Sequence, residues 1–307
     1  MTDLILHHFE ISPFAEKVRA ILGFKRLAWR SVLVPVVMPK PDVVALTGGY
    51  RRTPVLQIGA DIYCDTALMA RVLEDRAPTP TLFPDDQPLA PLFSQWADAT
   101  LFWIGSVFAA QPAGAATLFG NDMAAMKSFG ADRAALTAGF GRPSLADATA
   151  LLPLHLAALN AQLSRGGPFL FGAQPSIADF AAMHPLWMVR CAKVDAVLAP
   201  HAAVRAWLDR IAAFGHGTRE EIDSAQAIAI AAAAMPRPAA GVPQGSGFEN
   251  GQPVTVAASD YGTDAVAGTL VGLDAQESVI ARDDPRAGRV HVHFPRHGYQ
   301  LRKVKTA

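Results

Sequence analysis

Residues 51–75, RRTPVLQIGADIYCDTALMARVLED, decide the fold. Thr53-Pro54 breaks the chain ahead of an apolar run, Val55 to Ile58. Gly59-Ala60 is a turn, and Asp61 to Cys64 returns as a second run, so the stretch predicts a hairpin. Asp65 and Thr66 then open a helix that runs to Arg76. Upstream, residues 3–9 (DLILHHF) form a short apolar strand. Ser12 supplies an N-cap, and Pro13 stands at N1, where its missing N–H costs nothing. In the following AEKVRAILGF, Val18, Ile21 and Leu22 fall at helical spacing, and Gly23 is expected to close the helix. Trp29 to Val34 alternates as another strand, and Pro39-Lys40-Pro41 leads into a short segment ending at Gly48-Gly49. The order β-α-β-α-β-β-α predicts a thioredoxin-like domain over residues 1–78.

The chain has 307 residues, enough for two or three cores, and 51% of them are hydrophobic. Lys plus Arg and Asp plus Glu both total 27, which gives no global bias toward nucleic acid or an anionic membrane surface. No apolar run approaches the roughly 18–20 residues of a membrane helix, and the first ten residues lack the basic start of a signal peptide. Cys64 and Cys191 are far apart and form no CxxC or metal-ligand spacing, so reduced thiols and a cytoplasmic setting are expected. Prolines 78, 80, 84, 88 and 91 mark a linker. Residues 88–234 read as an all-helical domain, with Ser176-Ile177-Ala178-Asp179 as a capping box. Residues 235–252 are rich in Pro, Gly and Ser, a second linker. Residues 253–307 hold five short strand patterns, expected as a small β-barrel of SH3-like size. The fold class is therefore multidomain α+β.

Three short pieces carry the chemistry. A thiol with an ordinary pKa near 8.5 ionises near neutrality when a hydroxyl and a helix N-terminus face it. Ser12 is placed to do this for a bound peptide thiol such as glutathione, donating to its sulfur; an ordinary N-cap is the alternative. If Thr53-Pro54 is cis, the backbone of Thr53 turns outward and can pair with an extended peptide; a trans proline beginning an edge strand is the alternative. Arg52 can clamp a carboxylate or stand solvated. At the next helix start, Thr66 and its neighbouring N–H groups can take an α-carboxylate and Asp65 an α-ammonium, the two charges of a γ-glutamyl head.

Together these segments resemble the cytosolic glutathione transferases over roughly residues 3–215. ISPFAEKVRAIL is similar to the SPF segment of the serine-type tau and related bacterial classes and to the CPF segment of the omega class. RRTPVLQIGADIYCDTALMARVLED is similar to the family's P-V-L…E-S segment, and SIADF to its helix cap. The resemblance implies glutathione as co-substrate, no metal, and a small, apolar electrophile as the second substrate. It implies that Ser12 activates the thiol, Thr53 pairs with the cysteinyl backbone, Pro54 is cis, and Asp65-Thr66 hold the γ-glutamyl group. Arg52 takes the glycyl end, Phe14 packs near the thiol, and Phe9 and Trp103 border the electrophile pocket. A homodimer is implied, with neither membrane nor nucleic acid as partner. Thr53 stands for the usual Val or Ile, Asp65 for the usual Glu, and Ser12 where the omega class has Cys, which disfavours disulfide exchange.

Other features are less specific. The helix Leu92–Ala110 carries Phe93, Trp96, Thr100, Trp103, Ile104 and Val107 on one stripe, either core or pocket wall. His7 and His8 end the first strand, and Cys64 reads as a buried, inert thiol. His291, His293 and His297, amid Arg289, Arg296, Arg302, Lys303 and Lys305, read as solvated strand faces rather than metal ligands. Two competing functions stay open: a transferase-fold scaffold that binds through the C-terminal strands, and a glutathione-dependent isomerase or dehalogenase.

Overall fold

The computed structural model describes residues 3–120 and 122–304; Lys305 lies outside them. The expected thioredoxin-like order is present as β1 (Ile5–His8), α1 (Pro13–Phe24), β2 (Ala28–Leu33), α2 (Pro41–Thr47), β3 (Val55–Ile58), β4 (Asp61–Cys64) and α3 (Thr66–Arg76). Strand β1 runs parallel to β2 and antiparallel to β3, and β3 forms the hairpin with β4. Gly23 does not close α1. The helix continues through Phe24, and Gly23 is a point of close approach, where a Cβ would lie 2.0 Å from the Gly215 carbonyl oxygen.

The helical region comprises α4 (Ala90–Trp96), α5 (Phe102–Ala109), α6 (Pro112–Phe119), α7 (Met123–Leu136), α8 (Leu145–Gly166), α9 (Ile177–Cys191) and α10 (Ala202–Ala212). Residues Ala97–Leu101 join α4 to α5 as a π-helical turn, so the expected long helix is one run with a local widening. Helix α9 is the central post, packed against α1, α4, α5 and α10. Its start is the expected capping box, Ser176 with Asp179. The Asp179 carboxylate also accepts the Leu170 N–H and the Trp207 indole N–H, at 2.9 and 2.8 Å, which ties α9 to the preceding loop and to α10.

The all-helical expectation ends too late. Residues Thr218–Glu221 form β5, which pairs in parallel with β2 at one edge of the sheet. Helix α11 (Ser224–Ala233) then crosses to pack on α2, β2 and the C-terminal strands.

The five expected C-terminal strands appear as β6 (Pro253–Ala258), β7 (Val266–Leu273), β8 (Glu277–Asp284), β9 (Gly288–Pro295) and β10 (Tyr299–Lys303). They do not stand apart from the rest of the molecule. Strand β9 pairs in parallel with β4, so all ten strands share one sheet, β10-β6-β7-β8-β9-β4-β3-β1-β2-β5. The preceding Pro-rich segment is docked as well: the Arg237 N–H donates to Asp61 at 3.0 Å, and the Leu273 N–H to the Gly241 carbonyl at 2.8 Å.

The alternation of side chains across the strands explains the two cores. Leu4, Leu6, Leu56, Ile58 and Tyr63 face the helical region. Ile5, Val55, Ile62 and Cys64 face the other way and pack with α2, α11 and the C-terminal Val254, Val290, Val292 and Phe294. The thioredoxin-like sheet is thus covered on one face by the helices and on the other by a core it shares with the C-terminal strands.

Candidate functional site

A cleft of about 670 Å³ opens where the N-termini of α1 and α3 face the α4–α5 run and the C-terminal strands. Ser12 lies at its floor. The hydroxyl oxygen accepts the Ala15 N–H at 3.2 Å, as an N-cap does, which leaves the hydroxyl proton free to donate into the cleft. The Thr53–Pro54 peptide is cis. Phe14, Arg52, Thr53, Pro54, Asp65 and Thr66 all line the same cleft, with Phe9 and Trp103 on its apolar walls.

Beneath Ser12 is a buried polar network that sequence inspection missed. Lys17, on the inward face of α1, is fully buried and donates to Thr66 Oγ1 at 3.2 Å and to Asp98 at 2.5 Å. Asp98 belongs to the π-helical turn and lines the cleft; its other oxygen accepts His184 Nε2 at 3.0 Å. Burial alone would raise the Asp98 pKa, but Lys17 and His184 outweigh it and hold the carboxylate ionised. Burial also lowers the His184 pKa, so the ring is neutral, and Phe14 and Phe102 pack against it at 4.7 and 5.7 Å. The cation of Lys17 therefore stands directly behind the helix start at Thr66. A lysine on an amphipathic helix gives no local sign that it is buried, so no sequence signal separates it from a solvated one.

Arg52 is engaged differently from the expectation. Its guanidinium pairs with Asp260, donates to the Tyr261 carbonyl, and lies 3.8 Å from the Tyr261 ring centroid. The charge is matched within the chain rather than left free for a carboxylate. A different cation stands close to Thr53: Lys40 is buried, and its Nζ donates to Thr53 Oγ1 at 3.3 Å. Burial and the nearby Arg133 and Arg51 bring the Lys40 pKa down to about 8. Arg133 lines the cleft and is paired with Asp132 at 3.5 Å.

The C-terminal strands contribute side chains to the same cleft. Tyr299 donates to Asp65 Oδ2 at 3.2 Å and lies 2.7 Å, oxygen to oxygen, from the Tyr50 hydroxyl. Tyr261 meets Trp103 edge-on at 5.0 Å and Phe140 at 5.7 Å, closing the aromatic wall. Nothing local in the sequence marks these tyrosines, which approach the site only through sheet pairing.

The histidine expectations divide. His7 and His8 are core residues bonded to Gln57 and Ser31 at 2.8 and 2.9 Å. Burial pulls their pKa values to about 4 and about 3, the latter helped by Arg19, so both rings are neutral. Cys64 is buried and its thiol is pushed upward by desolvation, consistent with an inert residue. His293 is not on a solvated face. It is buried at the β9–β4 seam between Glu277 at 3.1 Å and Asp61 at 3.0 Å, stacked on Tyr63 at 4.3 Å. Burial lowers its pKa, but the two carboxylates prevail and raise it, so the ring is an imidazolium donating from both nitrogens. Among the described residues no cluster of three His, Cys, Asp or Glu side chains could hold a metal ion. No single helix among them is long and apolar enough to cross a membrane.

The comparisons agree with this architecture. The models of the glutathione S-transferase N-terminal domain and the glutathione S-transferase C-terminal domain match residues 6–81 and 109–210. A GST-like protein from Pseudomonas syringae is 43% identical, with a TM-score of 0.81 over 99% of this chain and 100% of that one. The chain belongs to the glutathione S-transferase family. The likeness to the Pseudomonas protein spans nearly the whole chain, so it takes in the C-terminal strands. Two more distant structures share the fold. FzlA from C. crescentus is 22% identical over 68% of this chain and 87% of that one, with a TM-score of 0.51. The β-etherase LigF from Sphingobium sp. strain SYK-6 is 19% identical over 69% and 96%, with a TM-score of 0.52. No curated protein matches the sequence significantly.

Proposed function

We propose that this chain is a glutathione transferase in which Ser12 stabilises the glutathione thiolate for attack on an electrophilic carbon. The observation that carries the reading is the cleft-facing Ser12 hydroxyl at the N-terminus of α1, its oxygen capping the helix and its proton unspent. A hydroxyl donor and the positive end of a helix both favour RS⁻ over RSH, so the bound thiol ionises at a lower pH than it does in water. The thiolate is itself the nucleophile, and the site's task is to hold and ionise it. No cysteine stands at position 12 to form a mixed disulfide.

The other ends of the tripeptide have complementary partners. The start of α3 at Thr66, with Lys17 behind it, suits the γ-glutamyl α-carboxylate, and Asp65 suits the α-ammonium. The backbone of Thr53 suits the cysteinyl residue. Lys40 replaces Arg52 as the cation for the glycyl carboxylate, because Arg52 is neutralised by Asp260 and Arg133 is paired with Asp132. The electrophile would lie against Phe9, Phe14, Phe102, Trp103 and Tyr261, an aromatic wall suited to an apolar substrate. The same reading takes residues 253–307 as an SH3-like unit, supported by β10 returning to pair with β6, and the protein as a cytoplasmic homodimer.

Calorimetric titration with glutathione, followed by turnover of a chloronitrobenzene electrophile, tests the reading. Saturable binding with conjugate formation is expected. A chain that neither binds glutathione nor loses turnover on Ser12→Ala would overturn it.

A further inference from the structure

Asp65 is a carboxylate in the cleft without a cation. It forms no salt bridge among the described residues, and its two hydrogen bonds come from neutral donors. Oδ1 accepts the Ala67 N–H at 2.9 Å as the cap of α3, at a backbone φ of 74°. Oδ2 accepts the Tyr299 hydroxyl at 3.2 Å. A phenol has one proton, so with Tyr299 donating to Asp65, the short contact to Tyr50 is a donation from Tyr50 to Tyr299. Burial drives both phenol pKa values far above their ordinary range, so neither proton is lost at physiological pH. The result is a directed chain, Tyr50 to Tyr299 to Asp65, that ends on an anion with lone pairs still free and facing the cleft.

Tyr299 lies 234 residues from Asp65 and arrives by a defined route. Gly298, at φ 78°, turns the chain immediately before β10, and its carbonyl is held by the Ser259 N–H and hydroxyl at 2.9 and 3.1 Å. Asp260 and Tyr261 follow Ser259, and they clamp Arg52. The loops at the ends of β6 and β10 thus grip both loops of the thiol site, one through Arg52 and the other through Asp65.

We propose that Tyr299 is a positioning residue of the γ-glutamyl site, fixing the Asp65 carboxylate for an α-ammonium, and that the C-terminal strands are a structural part of that site. This rests on reading the cleft as a glutathione site.

The test uses the full chain and calorimetry with two probes, glutathione and glutathione acetylated on its α-amino group. Y299F is expected to weaken glutathione about tenfold, the worth of a hydrogen bond to a charged group. It should leave the affinity for the acetylated probe unchanged, and in turnover raise the glutathione KM with kcat altered less than about twofold. The losses from D65N and Y299F are expected to be less than additive in the double variant, because both act on one hydrogen-bonded pair. Should Y299F fail to fold by thermal melting, Y50F, which removes the donor to Tyr299, must show the same selective loss in smaller degree. Equal affinities of parent and Y299F for glutathione, or equal losses for both probes, would overturn the inference alone. Absence of glutathione binding by the parent chain would overturn the glutathione reading and this inference with it.

Discussion

The two acids of the cleft, Asp98 and Asp65, come from different regions and are treated in opposite ways. Asp98, on the helical side, is saturated by a buried lysine and a histidine. Asp65, on the thioredoxin-like side, is held by a backbone N–H and by a phenol from the C-terminal sheet, and its charge is unmatched. Coulombic pairing within the chain makes the first a structural element. Its absence leaves the second available to a ligand. The same contrast separates Arg52, neutralised by Asp260, from Lys40, whose neighbours are mostly cations. Exposure and position alone do not identify a binding group in this cleft; the local charge balance does.

The contrast depends on the C-terminal sheet being integral to the fold, and the most severe way to break it is to remove that sheet. Truncation after Ala234 strips β9 from β4 and uncovers Ile62, Val55 and Cys64 in the shared core. Loss of the cooperative thermal transition is expected, because several side chains each worth about 1.5–3 kcal/mol lose their burial. A truncated chain that melts like the parent would show the sheet to be an appendage.

Next in size is Ser12→Ala. Loss of one charge-assisted hydrogen bond in the transition state is expected to lower kcat/KM about 10–100-fold. The lost helix cap should cost about 1 kcal/mol of stability as well. Kinetics at saturating glutathione and a chemical denaturation curve separate the two effects.

A third prediction sharpens the seam. His293 faces Asp61 and Glu277, with Tyr63 stacked beneath and His291 and Arg237 nearby. Its folded-state pKa is raised above the unfolded value of about 6.5. The stabilisation is therefore complete below that unfolded value and is lost as pH rises through the raised folded value. Thermal melts across pH 5.5 to 9 should show the parent's advantage over His293→Gln, about 1–3 kcal/mol at low pH, shrink as pH rises, the difference cancelling the opposite contributions of His7, His8 and Lys40. A difference between parent and His293→Gln that stays constant or grows with pH would contradict the imidazolium.

Smallest is Asp260→Asn. The pair with Arg52 is partly exposed, so less than about 1 kcal/mol of stability is expected to be lost. The freed guanidinium should instead become available to anions, measurable as altered affinity for carboxylate-bearing ligands.

The extent to which sequence foretold this site follows from the range of the interactions involved. Ser12-Pro13 and Asp65-Thr66 are helix starts, governed by residues within four positions of each other, and their patterns were legible. The strands of the β3–β4 hairpin and of β6–β10 were legible for the same reason, through short apolar alternation. Which strands become neighbours was not. The joining of β9 to β4 turned His293 from an apparent solvated position into a buried one, and brought Tyr299 to Asp65. Strand β5, Thr-Arg-Glu-Glu, carries no apolar alternation at all, and exists because the β2 edge offers it backbone partners. Nothing local in the sequence marks Lys17 or Lys40 as buried, since only their tertiary surroundings bury them.

The central claim is that Ser12 and the α1 terminus ionise a bound thiol, and ultraviolet titration of the thiolate in the glutathione complex tests it most directly. The bound thiol is predicted to ionise well below the ordinary value near 8.5 in the parent chain and to return toward it in Ser12→Ala. An identical titration midpoint in the two proteins, with glutathione bound in both, would contradict it.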